Sequence, residues 1–344
     1  MIKKQHLTII TVTIVIIAII VAGFQFGLFN FGAEKEEKET MQPTTAPFLW
    51  RIEGETPSYL YGSIHVATEE IVTLPNVVMA ALTRSDALYT EIKLDFDTQY
   101  DAALFSAFNT DKLEDILPDE LAKDLDSYLK TKETSLEQLN SFKPWFIAIY
   151  LIQLEYPQYF SESEYPGGLD QYIWDLAVSM GKETYGLETP YEQLGVFDDL
   201  NESEEIQLLS DSLDDVVANS TYGDPFIGLI DAYLESDLET YLELEYQDYE
   251  ESDPLYAKLM TRLLTVRNIK MAERISENIT KNSDKRFFFT IGSAHFHGED
   301  NIITLLEEKG YTVTPVEFDK CSTCGCNEGE LKINDRCYYP YSPP

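Results

Sequence analysis

The chain has 344 residues, 44% of them hydrophobic, which is enough for one large domain or two small ones with a sizeable core. Its 61 acidic and 25 basic residues leave a formal charge of -36. Such a surface repels phosphate backbones and argues against nucleic acid as a partner.

Residues 1-33 read as a membrane anchor. Lys3 and Lys4 precede an uncharged run from Leu7 to Ala33 that is dense in Ile and Val. About 20 apolar residues span a bilayer, and flanking lysines favour a cytoplasmic N-terminus with an extracytoplasmic C-terminal part. A cleaved signal peptide is the competing reading, with small residues at Ala22-Gly23 but no clean Ala-x-Ala site. No Cys follows the run, which excludes a lipoprotein anchor. Residues 34-47 are a charged, Thr- and Pro-containing linker unsuited to packing.

Folded sequence is expected over residues 48-318. Phe48–Ile52 and Tyr59–His65 read as two strands joined by a Gly54-Glu55-Thr56-Pro57 turn. A helix over Pro75–Thr83 and a strand over Ala87–Ile92 follow, an order that predicts a crossover unit with parallel strands. From Phe96 to Tyr159 apolar residues recur three and four apart, as in helices, with Pro118 and Pro144 at early helical positions. Gly167-Gly168-Leu169-Asp170 opens a helix that ends near Met180-Gly181. Lys182–Leu187 is strand-like, and Glu188 follows it. Residues 190-281 are helical and acidic, with Leu255–Ile279 as the clearest helix. A strand over Phe287–Ile291, a helix over Asp300–Lys309 and a strand over Tyr311–Val316 complete the pattern. The expected fold class is α/β, a central mixed sheet with flanking helices and large helical insertions.

Two short segments share one setting. Gly62-Ser63-Ile64-His65 and Gly292-Ser293-Ala294-His295 each follow an apolar strand, and they hold two of the four histidines. His65, Glu91, Glu188 and His295 thus fall at the carboxyl ends of four predicted strands, where open α/β sheets carry their sites. Two imidazoles with one or two carboxylates suit a divalent transition ion such as Mn, Co, Zn or Fe, which polarises a carbonyl and activates water. The glycine three residues before each histidine permits a close backbone approach. His297, two residues beyond His295, would point the same way on an extended stretch and join the site, although a loop role is the simpler reading. No nucleophile-elbow sequence surrounds Ser63 or Ser293.

The chain resembles the TraB/GumN family, which includes the Tiki membrane metalloproteases. The matching segments are Leu49-Trp50-Arg51-Ile52, Tyr59 to His65, Leu74-Pro75, Glu91, Lys143-Pro144-Trp145, Gly168-Leu169-Asp170, Gly181-Lys182, Gly186-Leu187-Glu188-Thr189, Gln193-Leu194, Arg267-Asn268, Gly292 to His295, Gly298-Glu299-Asp300 and Gly310-Tyr311-Thr312-Val313. The resemblance implies a fold of the erythromycin-esterase and ChaN-like kind. For the Tiki branch it implies a Mn- or Co-dependent peptidase acting on secreted or surface peptides. Carried over by position, His65, Glu91 and His295 are metal ligands or their immediate partners. Glu188 and Asp170 are further ligands or the general base. Arg267 stabilises an oxyanion or holds a carboxylate, and Asn268 beside it is a further site residue. An anchor at the N-terminus departs from the animal Tiki proteins, so an animal-type signalling substrate is not implied. Two alternatives stand beside a membrane-anchored peptidase: a non-catalytic protein that sequesters a pheromone-like peptide, and a metal-dependent esterase.

Residues 319-344 form a tail that holds all four cysteines, Cys321, Cys324, Cys326 and Cys337. In an exported protein the even count favours two disulfides, with three pairings open. Zinc binding through the Cys-x-x-Cys-x-Cys spacing and free thiols are the alternatives.

Overall fold

The computed structural model describes residues 48–219, 224–246, 253–316, 331–333 and 336–338. The proposed anchor and linker, and Cys321, Cys324 and Cys326, lie outside the described residues. Among the described residues no helix is long and apolar enough to cross a membrane.

A six-stranded mixed sheet organises the chain, in the order β4-β3-β5-β2-β1-β6. β1 (Leu49–Ile52) and β2 (Ser58–Ser63) form the expected hairpin, with Leu49 opposite Tyr61. β3 (Ala87–Thr90) and β4 (Glu183–Gly186) run parallel to one another. β5 (Phe287–Gly292) runs parallel to both β2 and β3, and the short edge strand β6 (Val313–Pro315) pairs antiparallel with β1. β2 and β3 are therefore co-directional, as the crossover reading requires, but they are not neighbours. β5 sits between them, as its composition favours: all six of its residues are buried, the mark of a strand covered on both faces. A buried side chain of this size contributes about 1.5–3 kcal/mol. Phe287, Phe288, Phe289 and Ile291 thus make the middle of the sheet its most strongly driven part.

Helices cover the sheet and fill the insertions. Pro144–Glu155 begins on its proline and is buried from Pro144 to Gln153, so it is a core helix rather than an amphipathic surface one. It packs along Glu202–Asn219, and Trp145 stacks on Phe197 with ring centroids 5.3 Å apart. The helix Gly168–Ser179 starts after Gly167, whose φ of 97° is left-handed. The long helix expected over Leu255–Ile279 exists in three parts: an α-helical Pro254–Met260, a π-helical Thr261–Val266 and an α-helical Arg267–Lys281. The wider turn ends at Arg267, and π-turns of this kind recur at functional sites. In the tail, Leu331–Ile333 pairs antiparallel with Arg336–Tyr338, the strand that carries Cys337.

One buried acid lies apart from the strand ends. Glu245, on the helix Leu238–Tyr246, is fully buried, and neither carboxylate oxygen has a hydrogen-bond partner. Tyr241 approaches without forming an aligned bond. Burial pushes this carboxyl up to about 8. The folded protein then holds a proton that the unfolded chain releases near pH 4.5, so stability falls as pH rises from about 4.5 to 8. The full loss is a few kcal/mol, on the order of 1.4 kcal/mol per pH unit. Glu245→Gln is expected to raise the melting temperature above pH 8 and to flatten its decline between pH 5 and 8. Melting curves across that range check this, and an unchanged slope would contradict it.

Candidate metal centre at the strand ends

β2, β3, β4 and β5 all run the same way, so their carboxyl ends share one edge of the sheet. Each delivers an expected residue: His65 two residues after β2, Glu91 next after β3, Glu188 two after β4 and His295 three after β5. The two Gly-x-x-His segments lie on adjacent strands, one residue out of step, with Gly62 beside Ile291 and Ser63 beside Gly292. A backbone bond from Glu188 N to the Glu91 carbonyl (2.6 Å) ties the β3 and β4 ends together. Gly292 leaves a side chain only tight room. A Cβ there would lie 3.0 Å from His65 Nε2 and 3.1 Å from Glu91 Oε1, so its bare backbone runs directly beside both groups.

Every group is buried: His65, Glu91, Asp170, Arg267, Asn268 and His295 to within 2% exposure and Glu188 to 5%. Asp170 is fully engaged. Ser63 Oγ donates to Oδ1 (2.6 Å), and His65 Nδ1 donates to Oδ2 (2.9 Å). Burial by itself lowers the His65 pKa, but the charge and hydrogen bond of Asp170, with Glu91 beyond, outweigh it and raise the value. Asp170 therefore orients His65 through one oxygen while the other accepts the Ser63 hydroxyl.

His295 is the counterpart. Asn268 Nδ2 donates to the His295 and Asp300 carbonyls (3.3 and 2.9 Å), which turns its Oδ1 toward the imidazole. His295 Nδ1 lies 2.6 Å from that oxygen, so the ring proton sits on Nδ1 and the lone pair on Nε2. Burial drives the His295 pKa down to about 3, leaving the ring neutral at ordinary pH. Its Nε2 faces Glu91 Oε1 at 3.7 Å and has no hydrogen-bond partner. This contact is no ion pair, because the imidazole is uncharged. Two acceptors confront one another in a buried place, an arrangement that costs free energy unless a cation or proton lies between them.

Arg267 organises the acids. Its Nε and Nη2 reach Glu188 Oε2 (2.8 and 2.7 Å), Nη2 also reaches Glu91 Oε2 (2.5 Å), and Nη1 donates to the Leu263 carbonyl (3.2 Å). Glu91 accepts further bonds from Gln193 Nε2 (2.8 Å) and Gly292 N (2.7 Å). Burial would raise the Glu91 pKa, but Arg267 foremost, with His65 and the Gly292 amide, holds it down to about 2. For Glu188 burial outweighs Arg267 and the pKa rises. Its second oxygen, Oε1, is buried with no partner.

All seven expected residues meet at this edge. His297 does not join them. Ser293–Phe296 is a 3-10 turn rather than an extended stretch, so the two rings part, and His297 stacks on Tyr246 at 4.0 Å. Gln193 belongs to the centre although its role was not legible in the chain. The signal was nearby: Thr189 and Glu192 form a capping box that starts the helix Pro190–Asp198 directly after Glu188.

Comparison with known proteins places the chain in a family. A model of the TraB/PrgY/gumN family matches residues 48–315. The chain belongs to the TraB/PrgY/gumN family. Among its relatives are proteins named Metalloprotease TIKI homolog from Nematostella vectensis (24% identical, covering 89% of this chain and 76% of the relative) and from Amphimedon queenslandica (23%, covering 78% and 61%). Metalloprotease TIKI1 of Danio rerio is 25% identical, covering 80% and 64%. The chain thus spans less than two thirds of the Amphimedon and Danio relatives. No solved structure matches the chain, so the erythromycin-esterase and ChaN-like likeness rests on the family resemblance.

The donor chemistry fits a divalent transition ion: two imidazole nitrogens and a carboxylate, with each imidazole's other nitrogen held by an Asp or Asn. As the side chains stand, no group of three or more His, Cys, Asp or Glu among the described residues has the spacing of a metal centre. The His295–Glu91 pair comes close to it, since two ligands bonded at about 2.1 Å to a tetrahedral ion lie roughly 3.4 Å apart.

Proposed function

We propose that this protein is a membrane-anchored, extracytoplasmic, metal-dependent peptidase, with residues 1-33 as anchor, 34-47 as linker, 48-318 as catalytic domain and 319-344 as a cysteine-containing tail. The observation that carries the reading is the unpartnered Nε2 of His295 facing an ionised Glu91 in a fully buried pocket. His65, Glu91 and His295 would hold the ion. Mn or Co is the favoured choice, with Zn or Fe compatible. When bound, it supplies a Lewis acid for the peptide carbonyl and an acidified water.

The chain's own residues supply the rest. Asp170 and Ser63 fix the His65 ring, and Asn268 fixes His295 in the tautomer that presents Nε2. Arg267 keeps Glu91 ionised and holds Oε2 of Glu188. That leaves Glu188 Oε1 to take a proton from water and return it to the leaving amine. A carboxyl pKa raised by burial suits a group that both takes and returns a proton.

The test uses the purified full chain, stripped by a chelator, reloaded with Mn or Co, and offered a peptide library read by mass spectrometry. Cleavage that disappears on stripping and returns on reloading is expected. Tight peptide binding without cleavage, unchanged by chelation, would overturn the reading in favour of a sequestering protein. Turnover of esters alone would select an esterase.

A further inference from the structure

The centre is closed to solvent, yet one cavity reaches its edge. It measures about 200 Å³, and Asn268 lines it. The same Asn268 holds His295 in its tautomer, so the cavity is one side chain away from the candidate metal ligand. A larger cavity of about 570 Å³ lies at residues 108–114 and 137–141 and shares no lining residue with the centre.

The smaller cavity has a definite chemistry. One wall is apolar and buried: Met260 and Leu264, each 8% exposed, stand four apart across the π-turn and lead in register to Asn268. A second wall is aromatic. Tyr246 is anchored by its hydroxyl to the Ala294 carbonyl (3.0 Å), and it stacks on His297. The mouth carries Glu299 and Asp300, both exposed. Among the described residues neither carboxylate has an ion-pair partner. Asp300 meets the centre only through its backbone carbonyl, the acceptor of Asn268 Nδ2. The volume is below the roughly 300–1,000 Å³ of small-molecule pockets and suits a single side chain. An aliphatic stem would lie along Met260 and Leu264 with its charged head at the carboxylates, as Lys and Arg side chains do at apolar-to-polar boundaries.

We infer that this cavity is a specificity subsite of the proposed peptidase, taking the Lys or Arg side chain of a peptide residue next to the bond cut. The placement next to a cleaved bond rests on the proposed peptidase function. The binding of a basic side chain stands or falls separately.

The test uses the full chain and a set of capped alanine octapeptides carrying Lys, Arg, Met or Glu at each position in turn. Both equilibrium binding and cleavage are measured. At one position Lys and Arg should bind about threefold to tenfold better than Met, as expected for a basic head meeting two exposed carboxylates, and Glu should bind worst. In the double variant Glu299→Gln/Asp300→Asn the Lys-to-Met ratio at that position should fall to near one. The double variant Glu307→Gln/Glu308→Gln removes the same charge from an exposed helix end outside the cavity, and it should keep the ratio. The inference is overturned if no position prefers a base, if nothing binds, if the preference survives Glu299→Gln/Asp300→Asn, or if both double variants lose it equally. Failure to cleave any peptide after metal loading would sink the peptidase reading alone, since the binding ratio still decides the subsite.

Discussion

Arg267→Met is expected to destabilise the domain by about 3–5 kcal/mol, the usual cost of leaving a buried charge without its partner. Arg267 is 1% exposed, and its guanidinium touches two carboxylates that are themselves buried, Glu91 and Glu188. Burial alone would lower the Arg267 pKa, and the two glutamates reverse this and raise it, so the arginine is charged at every working pH. Met matches its length but not its charge. Glu91 would keep Gln193 and the Gly292 amide, whereas Glu188 Oε2 would keep no partner on a side chain. The melting temperature should fall by roughly 10 °C, at 2–4 °C per kcal/mol for a domain of this size. Adding Glu188→Gln should restore part of the loss, because it removes the orphaned charge. Arg267→Met melting like the parent would mean that the three charges are not coupled as described.

The second large effect concerns activity. His295→Ala should lower peptide turnover by roughly 10³-fold or more. A bound ion contributes several kcal/mol to the transition state, and each 1.36 kcal/mol is tenfold in rate. Asn268→Ala should cost only about 10–100-fold, the range found when an outer partner of a metal-bound histidine is removed. The graded pair separates a ligand from a positioning residue. Equal losses in the two variants would argue against that division, and kcat with KM for each variant provides the check.

The strand ends were readable because histidine is scarce in this chain and two of four stand after Gly-x-x in matching strands. Glu91 and Glu188 followed from the rule that open α/β sheets carry their sites at carboxyl ends. What joins these groups was readable only in part: the resemblance implied that Arg267 holds a carboxylate, but not which residues pair. Asp170 reaches His65 across 105 positions, and Arg267 reaches Glu91 across 176. Contacts of that separation leave no periodic trace in a single sequence. The place of β5 between β2 and β3 was hidden for the same reason, since strand order is decided by burial of Phe287–Ile291 rather than by chain order. The π-turn at Thr261–Val266 follows the same apolar pattern as an α-helix would, so the sequence read as one unbroken helix. His297 takes the simpler loop role, because the chain turns directly after Gly292 instead of staying extended.

Metal-dependent chemistry here requires a cation between His295 Nε2 and Glu91 Oε1. The most direct measurement is the metal content of the purified full chain after equilibration with Mn or Co and removal of free ion, compared with His295→Ala and with Glu91→Gln. The parent should hold about one ion per chain and either variant none, with the far-ultraviolet circular dichroism of His295→Ala unchanged. An ion retained equally by the parent and by a folded His295→Ala, or no ion in the parent under any loading condition, would contradict a metal centre at these residues.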